Sequence, residues 1–337
     1  VGLSSSSSSG GGSRGGTGGA SGSNSAPRQF SFEALAAYLE EEGISDPQEL
    51  LSFPTPQSQA ARWLANEDTR NLALPSEGVE SKQGYHFITR YILATIYYAM
   101  SGSDWRFQFN FMSEDDICDW RDTLYVINTG EPVPFGSLCD ATSGEIFRLY
   151  LDANQLDGSI PSEITKLTTL RELNMNFNGN VRGNLPSDIG KLSLLQRLEF
   201  SRNLLTGEIP ASICDLTFLR QLHLGYNTLM GEIPSCIGSM VNLQLLFLAD
   251  NALTGLVPAT LADLTQMQML WLDDNQLSGD VTTTFDNMPN LRVVYIEDNM
   301  LEGTMDDNFM ANNPNLIQVD LSNNNFVGSI PDHFFDP

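Results

Sequence analysis

Basic side chains are scarce in this 337-residue sequence: 17 Lys and Arg stand against 42 Asp and Glu, for a formal charge of -25. A phosphate backbone or an anionic bilayer needs clustered Lys and Arg, so nucleic acid and a membrane bound through a basic face are excluded as partners. The excess of acid reads first as a solvated surface that keeps the protein soluble. No apolar run reaches the ~18 to 20 residues needed to cross a bilayer, so a membrane would be met only through a tether outside these residues. A signal peptide is missing, and no Asn-x-Ser/Thr sequon occurs anywhere. The sequence begins at Val1 and stops at Pro337 partway through a repeat, so it reads as a fragment in which missing targeting signals carry little weight. Histidine is confined to His86, His223 and His333, none of them in a Ser-His-Asp or Cys-His arrangement. There is no VAIK, HRD or DFG, and the GxGxxG formed by Gly10, Gly12 and Gly15 has no strand before it and no helix after it. Neither an enzyme nor a cofactor is expected.

Cysteine is also sparse, at four residues in two local pairs: Cys118 with Cys139, and Cys214 with Cys236. Both separations suit disulfides, which would imply an oxidising compartment, but spacing leaves the connectivity open and four reduced thiols remain the alternative. Neither pair has the CxxC or Cys-His spacing of a zinc site.

What the sequence has in abundance is repetition. From Ile146 to Pro331 one pattern of 24 or 25 residues is written eight times, beginning at Ile146, Leu170, Leu195, Leu219, Leu243, Met267, Leu291 and Leu316. An Asn recurs in register at Asn154, Asn178, Asn203, Asn227, Asn251, Asn275, Asn299 and Asn324. Its amide both donates and accepts, so stacked copies can satisfy backbone groups where the chain turns inside a core. The apolar residues before each Asn, such as Leu222 and Leu224, alternate with other positions as in a short strand. Glycine follows in all eight units, then proline in six, with Thr282 and Asp306 in the other two. A further apolar column runs from Ile164 and Ile189 to Phe309 and Phe334. One such unit cannot bury its apolar face alone, so neighbours stack into a solenoid with one parallel sheet. This period and skeleton identify a leucine-rich repeat.

The LxGxIP spelling resembles the plant-type leucine-rich repeat of receptor ectodomains and polygalacturonase-inhibiting proteins. The resemblance implies an α/β, right-handed horseshoe solenoid with a parallel concave sheet and a helical N-terminal cap. Residues 1–28, almost all Ser, Gly and other small types, read as a disordered linker. Residues 29–80 read as short helical segments: Phe32 to Glu42, a turn opened by Asp46-Pro47, and a helix capped by Thr55 with Pro56 at its first position. Residues 81–145 read as the cap, with a helix over Tyr85 to Met100, then Trp105, Cys118-Asp119-Trp120 and Cys139; residues 146–337 hold the repeats, the last one truncated. An apolar helix, a Trp, a CDW and a second Cys are similar to the cap of plant-type ectodomains, and the wider order resembles diatom leucine-rich repeat proteins. That likeness implies an extracellular or lumenal domain tethered to a membrane in the longer protein.

In a strand written LxxLxLxxN, the residues between core leucines face the concave side. One such column is Tyr150, Asn174, Glu199, His223, Phe247, Trp271, Tyr295 and Asp320; the column before it includes Leu245, Met269 and Val293. Units five to seven thus present Leu245, Phe247, Met269, Trp271, Val293 and Tyr295 together, on strands roughly 4.8 Å apart. A solvent-facing sheet should be polar there, and exposed clusters rich in Trp and Tyr mark interfaces. Asp250, Asp273, Asp274, Glu297 and Asp298 run beside them. We therefore expect a protein or peptide ligand with an apolar centre and basic flanks, recognised by these residues together with Tyr150 and His223. Two alternatives stay open: the rings stack only on one another, or a neighbouring copy covers them. No metal is expected, because acids on an open strand face are more often solvated and no EF-hand spelling is present. Paired carboxylates there also lack a pocket that would tune them for catalysis. The leading function is non-catalytic recognition, receptor-like or adhesive; inhibition of a secreted hydrolase, or service as the ectodomain of a receptor kinase, are its rivals. Ice or mineral binding would favour a flat row of small hydroxyl residues, which is missing. Oligomeric state is left open.

Overall fold

The computed structural model describes residues 3–4, 28–126, 132–286 and 288–334. The linker expected at 1–28 therefore lies outside the described residues, apart from Leu3–Ser4 and Arg28.

Eight coils stack through the parallel part of one eleven-stranded sheet. In chain order the strands of that sheet are β1 (Leu3–Ser4), β2 (Arg121–Val126), β3 (Pro132–Cys139), β4 (Ile146–Tyr150), β5 (Glu172–Asn174), β6 (Arg197–Glu199), β7 (Gln221–His223), β8 (Leu245–Phe247), β9 (Met269–Trp271), β10 (Val293–Tyr295) and β11 (Gln318–Asp320). Their spatial order follows the sequence; β4 to β11 pair in parallel, whereas β1 to β4 pair antiparallel. Each coil advances the chain by one strand, so the register repeats: Leu222 sits opposite Leu198 on one side and Leu246 on the other. Leu149, Leu173, Leu198, Leu222, Leu246, Leu270 and Val294 are all fully buried. Burial of each such side chain contributes about 1.5–3 kcal/mol, and no single coil could achieve it alone.

The asparagines line the turn that follows. Asn227 is 8% exposed. Its Oδ1 accepts the N–H of Leu205 at 2.9 Å, and its Nδ2 donates to the carbonyls of Phe200 at 3.0 Å and Leu224 at 2.9 Å. Asn251, Asn275 and Asn299 repeat this pattern one coil further on each time. Every rung thus ties its own coil to the preceding one. The first rung, Asn154, instead accepts from the N–H of Phe107 at 2.6 Å and donates to its carbonyl at 3.0 Å, which joins the ladder to the cap.

On the outer side, proline decides the local geometry. The six units that carry it form 3-10 turns: Ser162–Lys166, Ile189–Lys191, Ala211–Asp215, Ser235–Ser239, Ala259–Asp263 and Asp332–Phe334. The units with Thr282 and Asp306 in its place form ordinary turns. A ring that fixes φ pre-sets the first residue of the turn. Between strand and turn, a five-stranded and a three-stranded parallel sheet run along the flank, Met230–Glu232 to Asn325–Gly328 and Asp157–Ser159 to Leu204–Leu205. The α-helices are confined to the N-terminal end.

There α1 (Phe32–Glu41), α2 (Pro47–Leu51), α3 (Pro56–Asn66) and α4 (Lys82–Ala99) share one hydrophobic cluster with the coils. Ser31, Asp46, Thr55 and Ser81 cap them, each accepting a backbone N–H two or three residues on. The Ser81 cap starts α4 three residues ahead of the Tyr85 read from the sequence. Although apolar, α4 is no span: no helix of the described residues is long and apolar enough to cross a membrane. Arg90 and Asp68, each 1% exposed, form a two-pronged ion pair at 2.7 Å, with the guanidinium between the rings of Trp63 and Trp120. The end of α4 meets the first coil so closely that a Cβ on Gly158 would lie 1.9 Å from the carbonyl oxygen of Ala99; the φ of Gly158 is +149°. A second device, Glu163, accepts from Ser45 at 2.6 Å and from Gln57 at 3.2 Å, fastening the first outer turn to α3 and the loop before α2.

Disulfides join Cys118 to Cys139 and Cys214 to Cys236, with Cα atoms 5.3 and 5.9 Å apart. The first holds the cap turn to β3; the second links the outer turns of coils three and four. The antiparallel hairpin β2–β3, which extends the concave sheet into the cap, was not anticipated from the sequence.

Replacing Asn227 with Ala leaves the buried N–H of Leu205 unpaired and removes one of the two amide donors on the carbonyls of Phe200 and Leu224, which keep Asn203 and Asn251. Urea unfolding is expected to show a loss of about 1–3 kcal/mol, whereas Thr228→Ser beside it, which keeps the hydroxyl that donates to the carbonyl of Leu205, should change stability by less than about 0.5 kcal/mol.

Candidate functional site

Strand pairing sets the expected residues side by side. Leu245, Met269 and Val293 are opposed across β8, β9 and β10, and so are Phe247, Trp271 and Tyr295, with His223 next in line on β7. All seven are half-buried and face the concave side, in contrast to the sealed leucines between them. The rings touch in sequence: His223 to Phe247 at 6.0 Å, Phe247 to Trp271 at 5.3 Å edge-on, and Trp271 to Tyr295 at 6.3 Å. Mutual stacking fixes their orientation and leaves their outer faces open. A Cβ on Gly225 would come within 2.9 Å of the Phe247 ring, so glycine at this position is what lets the ring settle there.

Tyr150 lies elsewhere. On the first coil, its hydroxyl donates to the carboxylate of Glu172. Glu172 also meets Arg148 at 2.8 Å and Arg197 at 3.5 Å, and Arg197 continues to Glu199 at 3.0 Å. The concave face is therefore divided into a hydrogen-bonded charged network on coils one to three and an aromatic strip on coils four to seven.

The acidic edge is built by the turn. The residue before each ladder Asn has a positive φ, and at Asp250, Asp274 and Asp298 it is +54°, +51° and +52°. Aspartate tolerates that conformation better than most residues, because its short side chain can bond locally. Asp273 and Glu297 stand one position earlier and are half-buried. Burial, reinforced by Asp274, Asp250 and Asp298, pushes the Asp273 carboxyl up to about 6. Glu297 is raised for the same reasons, burial first and then Asp273, Asp320 and Asp274. His223 moves the other way: burial, with help from Arg197, lowers it to about 4, so its ring is neutral at physiological pH.

In coils two to four the same turn position holds Phe177, Arg202 and Tyr226, with φ of +59°, +59° and +57°. The Arg202 guanidinium lies 3.9 Å from the Tyr226 ring and 5.5 Å from that of Phe177, and Tyr226 meets Phe247 at 5.8 Å. This stack prolongs the aromatic strip toward the cap, and sequence reasoning missed it. The signal was available, since the position before each Asn is as periodic as the Asn itself. Among the described residues no group of three or more His, Cys, Asp or Glu could hold a metal.

Because Asp273 titrates higher in the fold than the ~3.9 of an unfolded chain, its ionisation opposes folding. That penalty is absent below about pH 4 and complete above about pH 6. Asp273→Asn is therefore expected to raise Tm at pH 7.5 by up to a few degrees and to leave it unchanged at pH 4; equal shifts at both values, read by calorimetry, would contradict the assignment.

Among known proteins, a family described as "Leucine-rich repeat region" matches residues 147–332. No curated protein sequence matches significantly. Solved structures do. The plant peptide hormone receptor RGFR1, in complex with RGF2, is 33% identical with a TM-score of 0.52, over 55% of this chain and 29% of that one. The complex of PEPR1 with AtPEP1 gives 30% and 0.55, over 58% and 27%. The Arabidopsis receptor kinase HAESA, with the peptide hormone IDA and the co-receptor SERK1, gives 31% and 0.53, over 56% and 31%. The chain thus spans about three tenths of the length of each of these proteins. With a matched family region covering more than half its residues, and the parallel coils, amide ladder and helical cap described above, the chain belongs to the leucine-rich repeat family.

Proposed function

We propose that the concave strip on coils four to seven is a non-catalytic recognition surface for an extracellular peptide or protein with an apolar centre and a basic flank. The observation that carries this reading is the row His223, Phe247, Trp271 and Tyr295, open on one side and bordered by Leu245, Met269 and Val293. Trp and Tyr are over-represented among residues that dominate binding energy, and here they are already ordered by their neighbours, which lowers the entropy lost on binding. The border of Asp250, Asp273, Asp274, Glu297 and Asp298 would attract Lys or Arg on the ligand. The likeness to the peptide hormone receptor RGFR1 and to HAESA in complex with the peptide hormone IDA supports a peptide-sized partner, and the two disulfides support an oxidising compartment. In this reading the helical cap closes the end of the core, and the Ser/Gly-rich residues 1–28 tether the domain to a membrane-anchored remainder of the protein.

Panning a random peptide library against the chain tests the reading. Selected peptides are expected to carry an aromatic or aliphatic centre beside Lys or Arg. Phe247→Ser with Trp271→Ser should weaken them at least about thirtyfold, the scale of a binding hot spot. Their affinity should also fall as pH drops through about 6, where Asp273 gains its proton. Peptides that bind the double variant as tightly as the parent, or that are acidic, would overturn it.

A further inference from the structure

The helical cap holds a cavity unrelated to the concave strip. It has a volume of about 360 Å³ and lies between the chain just after α3, the first half of α4 and the 3-10 turn at Ile117. That size falls within the range of small-ligand sites. Its floor is apolar: Phe87 and Ile117 are 1% and 2% exposed, and Leu72 forms one wall.

Its charge runs against that of the whole chain. Arg70, Lys82 and Arg90 line it against a single carboxylate, Asp116, in a protein with a formal charge of -25. The three cations are not equivalent. Arg90 is consumed by Asp68 and by the carbonyl of Asp115, and forms part of the base. Arg70 reaches Asp116 at 2.8 Å on the exposed side, and a carboxylate paired at one edge leaves other guanidinium N–H groups to donate. Lys82 is exposed and, among the described residues, has no ion-pair or hydrogen-bond partner. His86 stands between them with its Nδ1 3.9 Å from Asp116. An uncommitted ammonium and a half-committed guanidinium at the mouth of a greasy floor make a site with a polar end and an apolar end.

We propose that this cavity binds a small amphipathic monocarboxylate, with its ring or branched chain on Leu72, Phe87 and Ile117 and its carboxylate between Lys82 and Arg70. A cation would meet like charge there, and a purely hydrophilic anion would leave the floor unfilled. The site lies on the opposite part of the chain from the concave strip and does not depend on it.

Ligand-observed NMR titration of the full chain with phenylacetate, phenylacetamide and inorganic phosphate tests this. Phenylacetate is expected to bind saturably, the amide and phosphate at least tenfold more weakly. Lys82→Ala should weaken phenylacetate about tenfold, Lys82→Arg should restore it, and Phe247→Ser with Trp271→Ser should leave it unchanged. The proposal is overturned if phenylacetate does not saturate, if the amide binds equally well, or if Lys82→Ala has no effect. Lys82 is exposed at the start of α4, so its replacement leaves the fold intact.

Discussion

Everything in this solenoid depends on how the chain satisfies its own backbone where it turns inside an apolar interior. A strand of three residues ends against a buried corner, where its neighbouring N–H and C=O groups need partners within the protein. The side-chain amide of Asn227, and of Asn251, Asn275 and Asn299 after it, supplies one acceptor and two donors at that corner, and shares them between adjacent coils. Leucine burial supplies most of the favourable free energy, but loss of one such amide leaves a buried N–H unpaired, at about 1–3 kcal/mol, and takes one of two donors from each of two carbonyls. Stacking is thus compulsory: Asn227 finds its acceptor's partner and one of its carbonyls in the neighbouring coil.

The same requirement explains the cap. The first Asn has no preceding coil, and the backbone of Phe107 takes its place. Helix α4 covers the apolar columns, meeting the coil at Gly158, and the hairpin β2–β3 continues the sheet edge. A buried Arg90–Asp68 pair between two tryptophans then orients α4 against the CDW turn. Such a pair adds little net stability over an apolar substitute, but it admits one arrangement. Rigid stacking from the cap onward is what presents the concave columns in fixed register, so that single residues 24 or 25 positions apart become a continuous surface.

Most of the fold was legible because it is written eight times. Leucine, asparagine and glycine columns with a fixed step leave one solution, and residues read as core, such as Ile164 and Phe285, are sealed. The aromatic strip was legible for the same reason, since strand alternation and register together place Phe247 beside Trp271. What occurs once was not. The β2–β3 hairpin has no periodic partner to announce it. Tyr150 shares its column with Trp271, but only the cross-strand neighbour Glu172 decides that it joins a charged network. The Phe177–Arg202–Tyr226 stack lies at a turn position to which strand alternation assigns no face, and the cap cavity gathers residues from three segments distant in the chain.

Amide hydrogen exchange resolved to single residues tests the ladder most directly. The N–H groups of Leu205, Leu229, Leu253 and Leu277, each bonded to an Asn side chain of the following coil, lie outside the concave sheet. If the ladder holds the coils, they exchange as slowly as the strand amides of Leu222 and Leu246. Exchange at the rate of the exposed turns, with the strands protected, would mean that leucine packing and the backbone bonds of the sheet hold the coils without the ladder, and would contradict the account.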